Sequence, residues 1–315
     1  MAAMATAPEG PAADETQPDR ALFGYAAMGL TVAVWAAFAL SIRFIEVSEM
    51  AAGEVALIRF AVPMVVLLPW LPSRWRTICR IRWSIAAMIF VGAGLPYFLT
   101  ASWGGSLSTA IFVGALIPGL VPVFALALAL TRAGRKATTY EISGAVVITC
   151  GVGGLLSNPL SNANMTLLFG ASILVAASMM WSMYTTALSA TDLDAVGCTL
   201  LLSIPSAVVT FILLAIGVLP GNLQGVFTHD AIVFVLVQGL GVGVIANLSY
   251  RYAIRTIGAQ RSSVLGSLSP VATVLLAVPL LGEKPTEAVV FGVVLIVVGV
   301  ALSYVRSKSK REINA

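Results

Sequence analysis

Few residues in this sequence could do chemistry, and their spacing excludes more than it permits. Cys79, Cys150 and Cys198 are scattered along the chain. They are too few and too far apart for a disulfide framework or a metal site, and they read as small buried hydrophobes. The single histidine, His229, stands beside Asp230 in an expected loop and reads as solvated. Nothing in the pattern supplies a nucleophile with an acid/base pair, or a metal cluster. What remains is a set of polar and aromatic side chains embedded in long apolar runs. These are Trp35, Tyr97, Thr100, Ser178, Trp181, Tyr184, Gln238, Asn247, Ser267 and Ser269, with Pro118 and Pro270 interrupting the same runs. Buried amides and hydroxyls need partners, and prolines free backbone carbonyls. Together with aromatic rings these groups fit an apolar pocket that recognises a small molecule.

The runs that carry these residues are too apolar for a soluble domain. The chain is 59% hydrophobic and 10% charged, whereas a soluble domain carries about 25% charged residues. A helix needs about 20 mostly apolar residues to cross a bilayer. Ten stretches qualify, over 21–43, 52–71, 83–101, 108–130, 138–157, 166–188, 195–219, 230–250, 260–281 and 286–305. They lack the period-2 alternation of barrel strands, so the expected fold is all-α. Residues 1–20 are rich in Ala and Pro with no basic region ahead of an apolar run, and read as a disordered tail rather than a signal peptide. Residues 306–315 read as a basic tail.

Sidedness follows from the basic residues. Arg20, the loop with Arg74, Arg76, Arg80 and Arg82, the loop with Arg132, Arg135 and Lys136, the stretch with Arg251, Arg255 and Arg261, and the C-terminal tail fall on one side of a ten-span arrangement. Only Arg43, Arg59 and Lys284 lie towards the other. Both termini are therefore expected in the cytoplasm. The loop with Asp192 and Asp194 carries no basic residue and supports this least.

The two halves resemble each other. Trp35 follows Gly24 as Trp181 follows Gly170, and Gly92-Ala-Gly94 is matched by Gly241-Val-Gly243. Counted from Pro122 and Pro270, Gly134, Lys136, Thr138, Gly144 and Gly151 fall at the offsets of Gly282, Lys284, Thr286, Gly292 and Gly299. With five spans in each half, 21–157 and 166–305, the second half must enter the membrane from the opposite side. Inverted repeats of this kind are frequent in secondary transporters.

The blocks at Pro122-Val-Phe with Gly144 and Gly151, and at Pro270-Val-Ala with Gly282-Glu283-Lys284, Gly292 and Gly299, resemble the twice-repeated pattern of EamA-type transporters in the drug/metabolite transporter superfamily. Arg59 after Gly53 also fits the first repeat. The resemblance covers about residues 21–305. It departs at Arg135, which stands where the first repeat's Gly-Glu pair has its acid. It implies ten helices in an inverted five-plus-five repeat, with a central cavity lined mainly by spans one, three, four, six, eight and nine.

Ionisable residues at bilayer depth are costly and usually functional, and mid-span positions here hold no Asp, Glu, Lys or His. Arg59, a third of the way into span two, has two readings. It snorkels to the interface or pairs with Glu54 or Glu46, or it anchors a substrate carboxylate or a gating ion pair. Arg43 and Glu141 read as interfacial. A proton-coupled antiporter of the small multidrug type would need a membrane carboxylate. A sugar-phosphate carrier would need central Lys or Arg. The cavity is therefore expected to suit a neutral or zwitterionic solute. Trp70, Trp75, Trp83, Trp103, Tyr250, Tyr252 and Tyr304 read as an interfacial belt. For Trp35 and Trp181, which sit deeper, the alternative to cavity lining is helix packing.

The expected function is secondary transport of a small metabolite across the inner membrane, with amino-acid export, aromatic amino acids first, as the favoured case. Another metabolite, such as a nucleobase, or a hydrophobic drug is the alternative. A membrane-embedded receptor or enzyme is the rival class. The lipid bilayer and a small-molecule substrate are the expected partners. No cofactor, metal or nucleic acid is expected, and the sequence is compatible with a monomer or a dimer.

Overall fold

A computed structural model of the protein describes residues 18–133, 137–221 and 229–304. Among these residues the structure is helical and contains no strand. The first half comprises α1 (Pro18–Phe44), α2 (Ala52–Leu67) with a short extension α3 (Leu71–Cys79), α4 (Trp83–Ala93), α5 (Leu95–Ser106), α6 (Ala110–Ala133) and α7 (Thr139–Ser161). The second comprises α8 (Met165–Ser189), α9 (Ala195–Ala215), α10 (Ala231–Phe234), a π-helical stretch (Val235–Ala246), α11 (Asn247–Ile257), α12 (Ala259–Gly266), α13 (Ser269–Leu281) and α14 (Glu287–Ser303). Helix pairs α4–α5 and α12–α13 each make one span, as does α10 through α11. Nine of the resulting segments have membrane-crossing length and apolarity among the described residues, and α14 is a shorter apolar helix. The expectations for residues 1–17, 134–136 and 305–315, Arg135 included, lie outside the described residues.

The third span breaks where the sequence permits it. Gly94 turns extended after α4, and Pro96 sits in the first turn of α5. A break inside a bilayer exposes backbone groups that need partners. Gly94 donates its N–H to the Phe90 carbonyl at 2.8 Å, and Leu95 donates to Ser206 Oγ at 3.3 Å from α9. Span nine also breaks, at Ser267–Leu268. Pro270 is then in the first turn of α13, where its missing N–H removes nothing. The expected kink at Pro270 is thereby corrected to a helix start. Pro118 and Pro122 do lie inside α6. They remove the N–H groups that would otherwise bond the carbonyls of Gly114 and Pro118.

Packing relations exchange between the halves. Helix α1 packs on α11 as α8 packs on α4 and α5, and α6 contacts α8 as α13 contacts α1. Gly24 of α1 lies against Thr256 and Ile257, and Gly170 of α8 lies against Leu107 and the Gly104 carbonyl. Gly144 faces Gly299 while Gly151 faces Gly292, joining α7 to α14. The same four glycines are matched in the sequence as Gly144 with Gly292 and Gly151 with Gly299, so the seam pairs them crosswise.

Apolar side chains cover the outer surface, among them Phe211, Leu275, Leu280 and Phe291. Trp70, Trp75, Trp83 and Trp103 are exposed near helix ends. Cys79 and Cys150 are exposed too, and only Cys198 is buried. The expectation of three buried cysteines fails because α3 and α7 turn those positions outward, where lipid and its interface replace protein packing. The loop with Asp194 lies at the same end as Arg74, which it pairs with at 2.9 Å. The Asp194 carboxyl loses stabilisation to desolvation. Hydrogen bonds from Arg74 and from the Gly197 N–H outweigh that loss and hold it below the usual carboxylate range.

Candidate functional site

A cavity opens between the halves, enclosing about 490 Å³ of atom-free space including its mouth. Its wall is drawn from α1 (Trp35, Phe38, Ala39), α5 (Tyr97), α6 (Val113, Gly114, Ile117, Pro118), α8 (Trp181), the π-helical stretch (Val242) and α13 (Ser269), together with Arg59 of α2. Those are spans one, three, four, six, eight and nine, with span two added by a single side chain. Two lobes continue from it. One is walled by Tyr184, Ser203 and Asn247. The other, about 800 Å³ on the same measure, is walled by Pro122, Thr185, Tyr250, Ser263, Ser267 and Tyr304. Trp35 and Trp181 border all three spaces. No Asp or Glu lines any of them among the described residues.

The rings form a chain around the cavity. Trp181 lies 5.2 Å from Tyr97 and 5.1 Å from Tyr184, centroid to centroid, both tilted. Tyr97 stacks on Phe38 at 6.4 Å, and Trp35 leans on Tyr250 at 5.3 Å. Such pairs contribute about 0.5–1.5 kcal/mol each beyond burial. Trp35 and Trp181 share the cavity without touching each other's rings. Tyr250 and Tyr304 are corrected here. They line the larger lobe rather than an interfacial belt, because α11 and α14 turn them inward. Phe38 was not marked as a cavity residue in the sequence, since Phe in an apolar run carries no directional signal.

The remaining sequence candidates divide by what their polar groups do. Ser178 is buried and donates to the Ile117 carbonyl at 2.7 Å, joining α8 to α6. Thr100 donates to the Pro96 carbonyl of its own helix at 2.8 Å and lines no cavity. Pro270 is buried outside the wall. Asn247 donates to the Val242 and Gly243 carbonyls at 3.3 and 3.1 Å, at the C-terminal edge of the π-helical stretch. That stretch has wider turns than an α-helix, a feature that recurs at functional sites.

Arg59 departs furthest from expectation. It is only 6% exposed. Its guanidinium carbon lies 5.0 Å from the Phe38 ring centre, 5.7 Å from Phe60 and 5.5 Å from Phe98. Nη1 donates to Gln238 Oε1, and Gln238 donates from Nε2 to Ser41 Oγ at 2.7 Å. The interfacial reading is overturned, because the guanidinium is enclosed by the rings of Phe38, Phe60 and Phe98 and bonds to Gln238 instead of reaching the surface. It does not pair with a carboxylate either. The salt bridge among the described residues is Arg74–Asp194, and Glu54 accepts the Ala51 N–H at 2.7 Å. The expectation that no cation is central is corrected with it, and Gln238 becomes a support for Arg59 rather than part of the wall. Contact with aromatic faces favours the buried cation by about 0.5–2 kcal/mol per ring.

At the end of the molecule away from Arg74, Glu283 joins the halves by another route. Its carboxylate accepts the N–H of Ala110 at 2.6 Å and of Ile111 at 3.2 Å. A carboxylate at a helix N-terminus satisfies free N–H groups and complements the helix dipole.

Residues 168–305 match the EamA-like transporter family. No curated protein sequence matches the chain. Among solved structures, one crystal structure aligns with a TM-score of 0.60 at 20% identity, covering 90% of this chain and 96% of that one. That degree of likeness shows a shared fold. The chain is thus a multi-pass membrane protein that is similar, over residues 168–305, to EamA-like transporters.

Proposed function

We propose that the protein is a secondary transporter of the inner membrane that exports amino acids, aromatic ones first, by alternating access through the central cavity. The observation that carries this reading is the wall itself. Trp35 and Trp181 occupy matching positions in the two halves and border every space along the axis. Their ring partners Tyr97, Tyr184 and Tyr250 extend an aromatic surface across the interface between halves. A solute with a flat apolar body is favoured by such a wall, while Ser269 and the carbonyls relieved of a donor by Pro118 and Pro122 suit a polar head. A carrier must release what it binds, so millimolar to micromolar affinity is expected, roughly −4 to −8 kcal/mol.

The test is flux into proteoliposomes with a panel of aromatic, aliphatic and cationic solutes, with and without pH and voltage gradients. Tryptophan and phenylalanine should move best. Good flux of aliphatic or cationic solutes with none of aromatic amino acids would remove the substrate assignment. Coupling should need no carboxylate in the membrane. Proton-coupled flux that vanishes when Glu54 or Glu141 alone is neutralised would contradict that. Reporter fusions at both tails and in the 157–165 loop test the orientation, and a periplasmic C-terminus would contradict it.

A further inference from the structure

We propose that Arg59 is the anchor for a carboxylate group on the transported solute, held along the Nε–Nη2 edge of its guanidinium. This rests on the transport reading above and names the chemistry that reading leaves open.

The argument begins with an incomplete set of hydrogen bonds. A guanidinium has five N–H donors in a fixed planar fork. Among the described residues, only Nη1 of Arg59 has an acceptor, Gln238 Oε1. Nε is buried with no partner. A buried cation without an acid is costly, and the lining of the central cavity supplies no acid among the described residues. The aromatic faces of Phe38, Phe60 and Phe98 flank the plane of the group and cannot accept from its edge in the manner of an oxygen pair.

The open edge has a defined shape. Arg74 in this molecule uses the same two atoms to hold the Asp194 carboxylate, Nε at 3.3 Å from Oδ1 and Nη2 at 2.9 Å from Oδ2. Side-on pairing of this type is the characteristic match between arginine and a carboxylate. Arg59 instead lines two of the connected spaces, and no aspartate lies among the described residues that line them. It is held from behind, since Gln238 donates to Ser41 and presents its carbonyl to Nη1. The matching span of the second half, Ala195–Ala215, contains no charged residue. The cavity therefore has one cationic pole, with Tyr97 and Trp181 on the same wall.

The test uses purified full-length protein in proteoliposomes. Tryptophan, tryptophan amide and tryptamine are compared in flux and in ligand-induced thermal stabilisation, for the wild type and for Arg59→Gln and Arg59→Lys. Charge-assisted pairing predicts that wild type prefers tryptophan over the amide by about tenfold to a hundredfold. In Arg59→Gln the preference should fall to within about threefold, with Arg59→Lys intermediate because it keeps the charge and loses the fork. Gel filtration checks that each variant is folded. If Arg59→Gln does not fold, the wild-type comparison decides alone. Equal handling of tryptophan and its amide by wild type overturns the proposal, as does a preference that survives in a folded Arg59→Gln. Transport of aliphatic carboxylates in preference to their amides, with no aromatic flux, would support the anchor and remove the aromatic reading instead.

Discussion

The α7–α14 seam and the central cavity are both interfaces between the halves, built from opposite materials. In the seam, Gly144, Gly151, Gly292 and Gly299 remove side chains altogether. A Cβ built on Gly292 would stand 2.6 Å from the Gly151 carbonyl, and one on Gly151 would stand 2.7 Å from that of Gly292. Lipid gives helices no hydrophobic reason to associate, so close backbone approach supplies the attraction. Helix α7 contributes nothing to the cavity wall, and α14 contributes Val300 and leads into Tyr304. In the cavity, by contrast, large rings meet at tilted angles 5.1–5.3 Å apart and leave space between them. The seam suits a fixed axis. The cavity suits surfaces that must part and close again.

If that contrast holds, the largest effect comes from filling the seam. Gly292→Val should lower stability by about 1–3 kcal/mol or more, since the added atoms meet backbone rather than a flexible side chain. Thermal unfolding in detergent should show it, while flux per folded molecule stays near wild type. Gly153, on the same helix as Gly151 with nothing within 4 Å of an added Cβ, is the control. Gly153→Ala should leave the transition unchanged or raise it slightly, and equal damage from both would break the comparison.

A smaller effect is expected at Glu283, whose carboxylate ties the loop after α13 to the start of α6. Glu283→Gln keeps the size and removes the charge. The loss of a carboxylate at a helix N-terminus is about 0.3–1 kcal/mol. If the contact closes one end of the cavity, labelling of a cysteine placed at Ser269 from the Glu283 side should rise by about two- to fivefold. Unchanged labelling would make the contact a structural cap only.

The smallest effect concerns pH. Asp194 titrates below its usual range, so its pairing with Arg74 contributes above the unfolded value of about 3.9 and is lost as pH falls through the lower folded value. The pair is partly exposed, and screening limits it to well under about 1 kcal/mol. Wild type should lose slightly more thermal stability than Asp194→Asn between pH 6 and pH 3 (about one degree or less). A large difference would mean that this contact holds the halves together.

Much of this was legible in the sequence because the bilayer imposes simple rules. Long apolar runs must be helices, and their ends attract arginine. The glycine blocks at Gly144, Gly151, Gly292 and Gly299 were visible as a repeat because close approach admits no other residue. Trp35, Tyr97, Trp181 and Tyr184 stood out by depth. Arg59 was misjudged because span position tells how deep a residue lies, not which neighbour closes over it. Gln238, which bonds to it, lies 179 residues further along. Pro270 was misjudged because a helix start and a kink look alike until the Ser267–Leu268 break is seen. Tyr250 and Tyr304 near span ends fit a belt equally well until helix rotation is known.

The central claim is that Trp35 and Trp181 form the solute path. Tryptophan counterflow measured side by side in wild type, Trp35→Ala and Trp181→Ala tests it most directly, at equal amounts of monodisperse protein. Trp181 has two ring partners and Trp35 one, so flux should fall about tenfold for Trp181→Ala and about threefold for Trp35→Ala. Wild-type counterflow in both variants, with the protein folded, would place the path elsewhere and contradict the account.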